Sequence, residues 1–247
     1  MEINLITEKN VNLYSYSNIQ AMQFPIHSIT ISLHGWYESK MRDTITDFET
    51  ELANNHVLCI YPYYSEWSWM NFPTINLIDD IVGFYIKQYA LSDNIPIIVF
   101  GKSMGGLSAL IYTLYSARTP IACAANCPIC NLPLHIKERE DLPRTIYAAY
   151  GGYHIPLEIA MELHSPIHQV EKMPHIPYYI VHGYADTLVN KVSQSDSYVS
   201  RLKELNYDIE YHEVVGMKHC DFRSCPEERS HYQNFIMLHS CTGNHNI

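Results

Sequence analysis

The sequence predicts a doubly wound α/β fold with a mainly parallel sheet of about eight strands. Three observations carry this expectation. Short β-branched or apolar runs alternate with longer stretches whose apolar residues recur at helical spacing. The run IPIIVF (95–100) is apolar almost throughout, as expected of a strand covered on both faces. The segment that follows it, GKSMGG (101–106), turns through glycines into a new helical stripe.

Each element follows in order. EINLIT (2–7) and VNLYSYS (11–17), separated by a polar EKN, predict an initial hairpin. SITISLHG (28–35) is the next strand, ending in His-Gly. Met41, Ile45, Phe48 and Leu52 predict an amphipathic helix over about 40–54, and HVLCIYPYY (56–64) returns as a strand. Ile75, Ile78, Val82, Tyr85, Ile86 and Tyr89 line one face of a second helix. After IPIIVF, residues Leu107, Leu110, Ile111 and Leu114 mark the helix behind the glycines. PIACAAN (120–126), IPYYIVHG (176–183) and YDIEYHEVV (207–215) read as strands, with helices over about 192–205 and 227–240.

The chain reads as one domain over 1–247, with a cap or lid excursion over 127–174. That irregular stretch holds several prolines, four histidines and YAAYGGYHIP. In such a fold the ligand site lies beyond the C-terminal ends of the strands, where an insertion of this kind would cover it.

Composition narrows the partners. The formal charge of −10 and the lack of a Lys/Arg cluster argue against a nucleic-acid backbone or an anionic membrane. No run approaches the length of a membrane span, and the N-terminus lacks the basic and apolar regions of a secretory signal. Seven cysteines, an odd number, fit a closed disulfide framework poorly, so a reducing cytoplasm is expected. The oligomeric state leaves no trace in the sequence.

The chemistry-bearing residues fall at strand ends. Ser103 sits in G-x-S-x-G after a buried strand and before a helix, the setting of a nucleophile elbow. Asp186 follows the strand IPYYIVHG in the pattern His-Gly-x-x-Asp, and His219 follows the last strand in VVGMKHCDF. The order Ser, Asp, His is the one this architecture requires. His219 would take the Ser103 proton, and Asp186 would hold the imidazole tautomer and stabilise the imidazolium. The backbone N–H groups of Met104, next to the nucleophile, and of Trp36, in LHGWYE, are the expected oxyanion donors.

Other residues have weaker claims. Asp221 is a rival acid only by its nearness in sequence to His219. His212 falls within a strand, His231 and His239 fall on the last helix, and His34 and His182 precede glycine where they would bond locally. Tyr63, Tyr64 and Trp67 of YPYYSEWSWMNFP, with Tyr150 of the excursion, are candidate substrate contacts at the cleft mouth or an amphipathic rim. Cys123, Cys127 and Cys130 with His135 lack the paired spacing of a structural zinc site, and Cys220 and Cys225 read as small hydrophobes. No metal and no cofactor is expected.

The motifs LHGW, GKSMGG, HGYAD and GMKH together resemble the α/β-hydrolase superfamily over most of the chain. SPIHQVEKMPHIPYYIVHGYADTLV, from Ser165, is similar to the prolyl-oligopeptidase and dienelactone-hydrolase-like branch. The resemblance implies a cofactor-free serine hydrolase with an acyl-enzyme on Ser103. Prolyl oligopeptidases carry a large N-terminal propeller for which this chain has no room, and no acidic pair stands ready for a peptide N-terminus. A small carboxylic ester is therefore the expected substrate. A peptidase or amidase with the same triad is the alternative, and a non-catalytic binding protein on the same scaffold is a third reading.

Overall fold

The computed structural model describes residues 5–38 and 40–241. Its centre is a seven-stranded sheet: β1 (Ser15–Ser17), β2 (Ser28–Leu33), β3 (Val57–Pro62), β4 (Ile97–Lys102), β5 (Ala122–Asn126), β6 (Tyr178–Gly183) and β7 (Ile209–Val214). The spatial order is β1-β3-β2-β4-β5-β6-β7. Only β1 runs antiparallel to its neighbour among these pairs, meeting β3 with Ser15 opposite Pro62.

Alternation along each strand supplies two buried faces. On β4, Ile97 and Val99 join a core with α2 (Phe72–Gln88), α3 (Met104–Tyr115) and α7 (Ser197–Glu204). Ile98 and the partly buried Phe100 point the other way. There they meet Phe48 of α1 (Asp47–Asn54) and Tyr232, Phe235 and Ile236 of α8 (Pro226–Cys241). A strand buried on both faces reads as an unbroken apolar run, which is why IPIIVF stood out.

Two expected elements differ. Among the described residues the expected N-terminal hairpin is not seen. Residues 2–4 of EINLIT lie outside the described residues, and 5–10 form a turn in which the Asn10 side chain accepts from Thr7 N–H at 2.7 Å and donates to Leu5 O at 2.8 Å. Val11–Leu13 is a short 3₁₀ turn, so only Ser15–Ser17 is left to pair, and it pairs with β3. The first helix starts at Asp47 rather than near 40. Thr46 accepts from Glu49 N–H at 3.3 Å while the Glu49 carboxylate accepts from Thr46 N–H at 2.7 Å, a capping box. Glu49 also receives Arg42, at 2.5 and 2.6 Å, so 40–46 folds back on the helix start instead of extending it.

Residues 127–174 are mostly helical: α4 (Leu132–Glu138), α5 (Pro143–Tyr150), α6 (Leu157–Leu163) and a 3₁₀ segment, Pro166–Lys172. Leu132, Ile146, Tyr150, Ala160 and Val170 belong to the same core as α2 and α3. The segment is tied to the loop between β3 and α2. Trp69 Nε1 donates to Thr145 Oγ1 at 3.1 Å, the Tyr150 hydroxyl donates to Trp69 O at 2.6 Å, and Asn71 Nδ2 donates to Ala149 O at 2.9 Å. No helix among the described residues is long and apolar enough to cross a membrane.

The C-terminal ends of β6 and β7 are locked together. Tyr184 N–H donates to Val214 O at 3.0 Å and Ala185 N–H to Met217 O at 3.1 Å. Gly183 lies so close to this second loop that a Cβ would collide with the Met217 carbonyl. Backbone cannot yield as a side chain can, so Gly183→Ala should cost about 3 kcal/mol. In thermal unfolding this reads as a Tm lower by about 6–12 °C for a chain of this size.

Candidate active site

Ser103 occupies the turn between β4 and α3 with φ 58° and ψ −125°, a left-handed conformation uncommon for a residue with a side chain. Two glycines permit it. A Cβ on Gly101 would strike the Gly105 carbonyl, and one on Gly105 would strike the carbonyls of Leu33 and His34. The turn is pinned by Ser103 N–H donating to Asn126 O at 2.8 Å. Gly106 and Leu107 donate to Ser103 O at 2.9 and 3.1 Å, so the helix begins at once. As its first residue, Met104 has an N–H with no carbonyl partner inside the helix, and the helix dipole there favours negative charge.

Three side chains meet beyond the strand ends. The Ser103 Oγ lies 2.8 Å from His219 Nε2, and His219 Nδ1 lies 2.7 Å from Asp186 Oδ2. Asp186 is held by its own turn, with Oδ1 accepting from the N–H groups of Leu188 and Val189 at 2.9 and 3.0 Å. Its side chain is fully buried, and a second histidine, His182, places Nε2 3.1 Å from Oδ2. Burial alone would raise the Asp186 carboxyl, but the hydrogen bonds from His182 and His219 outweigh it and hold it well below the usual carboxylate range. Burial likewise works against a charged His219, yet Asp186 first and Cys127 second push its pKa up to about 9.

The Trp36 loop reaches the same place. A Cβ on Gly35 would sit 3.5 Å from Lys102 O and 3.8 Å from Ser103 Cβ, so the backbone entering Trp36 passes close to the serine. His34 anchors this loop. Its Nδ1 lies 2.9 Å from Gly35 O, its Nε2 lies 3.0 Å from Tyr64 O, and its ring stacks on Tyr64 at 3.8 Å. Burial lowers the His34 pKa, against the bonds to Gly35 and Tyr64. The Trp36 ring packs on Tyr37 at 4.1 Å with the Arg139 guanidinium 5.1 Å from its centroid.

The aromatic candidates divide. Tyr64 and Tyr150 are only 2% exposed, and their hydroxyls donate to His34 O and Trp69 O. Both hydroxyls are thus spent inside the protein, and neither is available to a substrate. Trp67 is exposed and borders, with Tyr64, a cavity of about 400 Å³ between the β3–α2 loop and α5. Tyr63 is half-buried beside them. A larger cleft of about 960 Å³ is lined by Lys102 and Cys220, the chain neighbours of Ser103 and His219, together with Glu38, Arg42 and Arg223.

Three neighbours of the site escaped sequence reasoning. His182 was expected to bond locally, and it does reach Val189 O at 3.1 Å, but it also supports Asp186. Cys127 and Cys220 stand beside His219, with Cys220 Sγ 3.7 Å from Nε2 and Cys220 N–H donating to Cys127 Sγ at 3.4 Å. The available signal was position, since Cys127 directly follows a strand end. His212 pairs with Glu228 at 3.0 Å, and His231 lies 3.8 Å from the same carboxylate.

No protein-family model matches this chain, and no curated protein sequence is similar to it. Its three-dimensional structure is more telling, for the sheet order and the flanking helices are those of the α/β-hydrolase fold. An acylaminoacyl peptidase from Pyrococcus horikoshii superposes with a TM-score of 0.72 at 15% identity, over 88% of this chain and 37% of that one. Esterase B from Lactobacillus rhamnosis gives 0.68 at 13% identity, over 89% of this chain and 78% of that one. A lipase in its open form gives 0.63 at 11% identity, over 94% of each chain. The chain thus spans just over a third of the length of the peptidase.

The hydrogen bonds at His219 can be read in solution. A proton NMR titration should place the His219 pKa well above 6.5. Asp186→Asn, which removes the charge and keeps the shape, should lower it by about one unit or more.

Proposed function

We propose that the protein is a serine hydrolase that cleaves a carboxylic ester of a small substrate through an acyl-enzyme on Ser103. The observation that carries this reading is the unbroken path from Ser103 Oγ through both nitrogens of His219 to Asp186, at 2.8 and 2.7 Å. An alcohol is a poor nucleophile at neutral pH, so a base must take its proton during attack. His219 Nε2 takes the proton from Ser103 and later gives it to the leaving alcohol. The buried Asp186 carboxylate stabilises the imidazolium without being protonated itself.

The tetrahedral intermediate places negative charge on the former carbonyl oxygen. The N–H of Met104, unpaired within its helix, and the N–H of Trp36 are the donors for it, each worth about 3–4 kcal/mol in such sites. Water then enters where the alcohol left, and His219 activates it by the reverse transfer. The segment 127–174 serves as a cap over the acyl side, with Tyr63 and Trp67 at its margin. A reducing compartment such as the cytoplasm suits the seven free thiols.

Amide or peptide cleavage by the same residues is the second reading. The likeness to an acylaminoacyl peptidase favours it. An ester is the easier substrate, because its leaving group departs with less help from the acid.

Activity assays test both. Hydrolysis of p-nitrophenyl acetate should fall by at least about a thousandfold in Ser103→Ala, and equal slow rates in both proteins would refute the reading. Aminoacyl anilides in the same assay separate peptidase from esterase. The pH profile follows from His219, which accepts a proton only when neutral. Because its pKa is raised to about 9, kcat/KM should climb as pH rises through that value and fall below it. Asp186 titrates far lower and should leave no second limb above pH 5.

A further inference from the structure

Two sulfurs beside the base have no task in acyl transfer. Cys127 follows β5 and is buried; Cys220 follows His219 and is half-buried, lining the larger cleft. One ligand atom from each of Cys127, Cys220 and His219 lies within 4.8 Å of the others, and Cys220 Sγ is 3.7 Å from His219 Nε2. Tetrahedral zinc, with Zn–S of about 2.3 Å and Zn–N of about 2.0–2.1 Å, sets its donors about 3.5–3.8 Å apart. The cluster therefore needs only a small contraction to close on one ion.

We propose that Cys127, Cys220 and His219 form an inhibitory site for a thiophilic divalent cation, with zinc as the cation their chemistry selects. Two thiolates and one imidazole are a zinc donor set, and hard cations such as magnesium or calcium prefer oxygen. The surroundings reinforce it. His219 Nδ1 faces the Asp186 carboxylate at 2.7 Å, the arrangement that orients a metal-binding imidazole and strengthens it as a ligand. On binding, the two thiols and, where the ring is protonated, His219 Nε2 release their protons to solvent; the sulfurs coordinate as thiolates, the ring through its Nε2 lone pair, and no electron is transferred.

The inhibition rests on the proposed function. The Nε2 lone pair that accepts the Ser103 proton is the one the cation takes, so occupancy of the site removes the general base. The cleft side of Cys220 provides the way in. This set differs from the Cys123, Cys127, Cys130 and His135 grouping, whose spacing argued against a metal, because two of its three ligands come from the loop after β7.

The test separates metal binding from catalysis. Cobalt(II) is titrated into Ser103→Ala under TCEP. Thiolate-to-cobalt absorption in the near-ultraviolet and the visible bands of a tetrahedral ion are expected. Cys127→Ser and Cys220→Ser, each checked for folding by circular dichroism, should lose the thiolate band or weaken binding by at least about tenfold. His231→Ala should keep the spectrum, which rules out the His212, Glu228 and His231 grouping as its source.

In the Ser103 protein, zinc should suppress ester hydrolysis by at least about tenfold, and EDTA should restore it. In Cys220→Ser, rated against its own zinc-free activity, the inhibitory concentration should rise by a similar factor. A cobalt spectrum without a thiolate band, or zinc inhibition unchanged in both serine variants, overturns the site. Inhibition that resists EDTA and yields to TCEP overturns it in favour of a Cys127–Cys220 disulfide. A protein that binds cobalt through thiolate yet hydrolyses no ester keeps the metal site and refutes the catalytic reading instead.

Discussion

The structure turns on a steric constraint at the end of β4. Ser103 holds φ 58° and ψ −125°, a conformation that costs about 1–3 kcal/mol elsewhere in proteins. It persists because Gly101 and Gly105 let the start of α3 press against the end of β2, where any Cβ would collide with a carbonyl. Several consequences come from that one turn. The serine side chain is lifted clear of the sheet, α3 departs at once, and Met104 is left with a free N–H. The same approach brings the Gly35–Trp36 backbone beside Ser103.

The polar half of the site is arranged around Asp186 rather than around the serine. Its two oxygens receive two backbone N–H groups and face two imidazole nitrogens. A buried carboxylate so surrounded stays ionised, and its negative charge holds a proton on the His219 ring more firmly than water would. That preference stabilises the imidazolium and so delays the arrival of the neutral ring as pH rises. Cys127, beside the same ring, pushes in the same direction.

Much of this was legible in the sequence because strand ends announce themselves. Apolar runs closing in His-Gly, Gly-x-Ser or Val-Val-Gly located Ser103, Asp186 and His219 without any contact information, and a doubly wound sheet must bring such ends to one edge. Contacts that depend on docking were not legible. The stripe from Met41 to Leu52 suits a longer helix, but the Arg42 to Glu49 pairing and the Thr46 cap end it at Asp47. Tyr64 and Tyr150 carry the same side chain as Tyr63, and only the packing of His34 and Trp69 decides that their hydroxyls are spent inside. Cys127 follows β5 and meets Cys220 and His219 of the loop after β7, with β6 between the two strands. No local pattern records that.

The bonds between Trp69 and Thr145, Tyr150 and Trp69, and Asn71 and Ala149 link two stretches of chain 76 to 81 residues apart. Phe72 N–H donates to Tyr153, whose hydroxyl lies 2.9 Å from His164, which extends the link into α6. The β3–α2 loop and the helices α4–α6 are thereby one mechanical part. Either stretch transplanted alone into another protein of this fold would arrive without its counterpart, leaving buried indole, hydroxyl and amide groups unpaired. Moving this surface to a new scaffold means moving both stretches together.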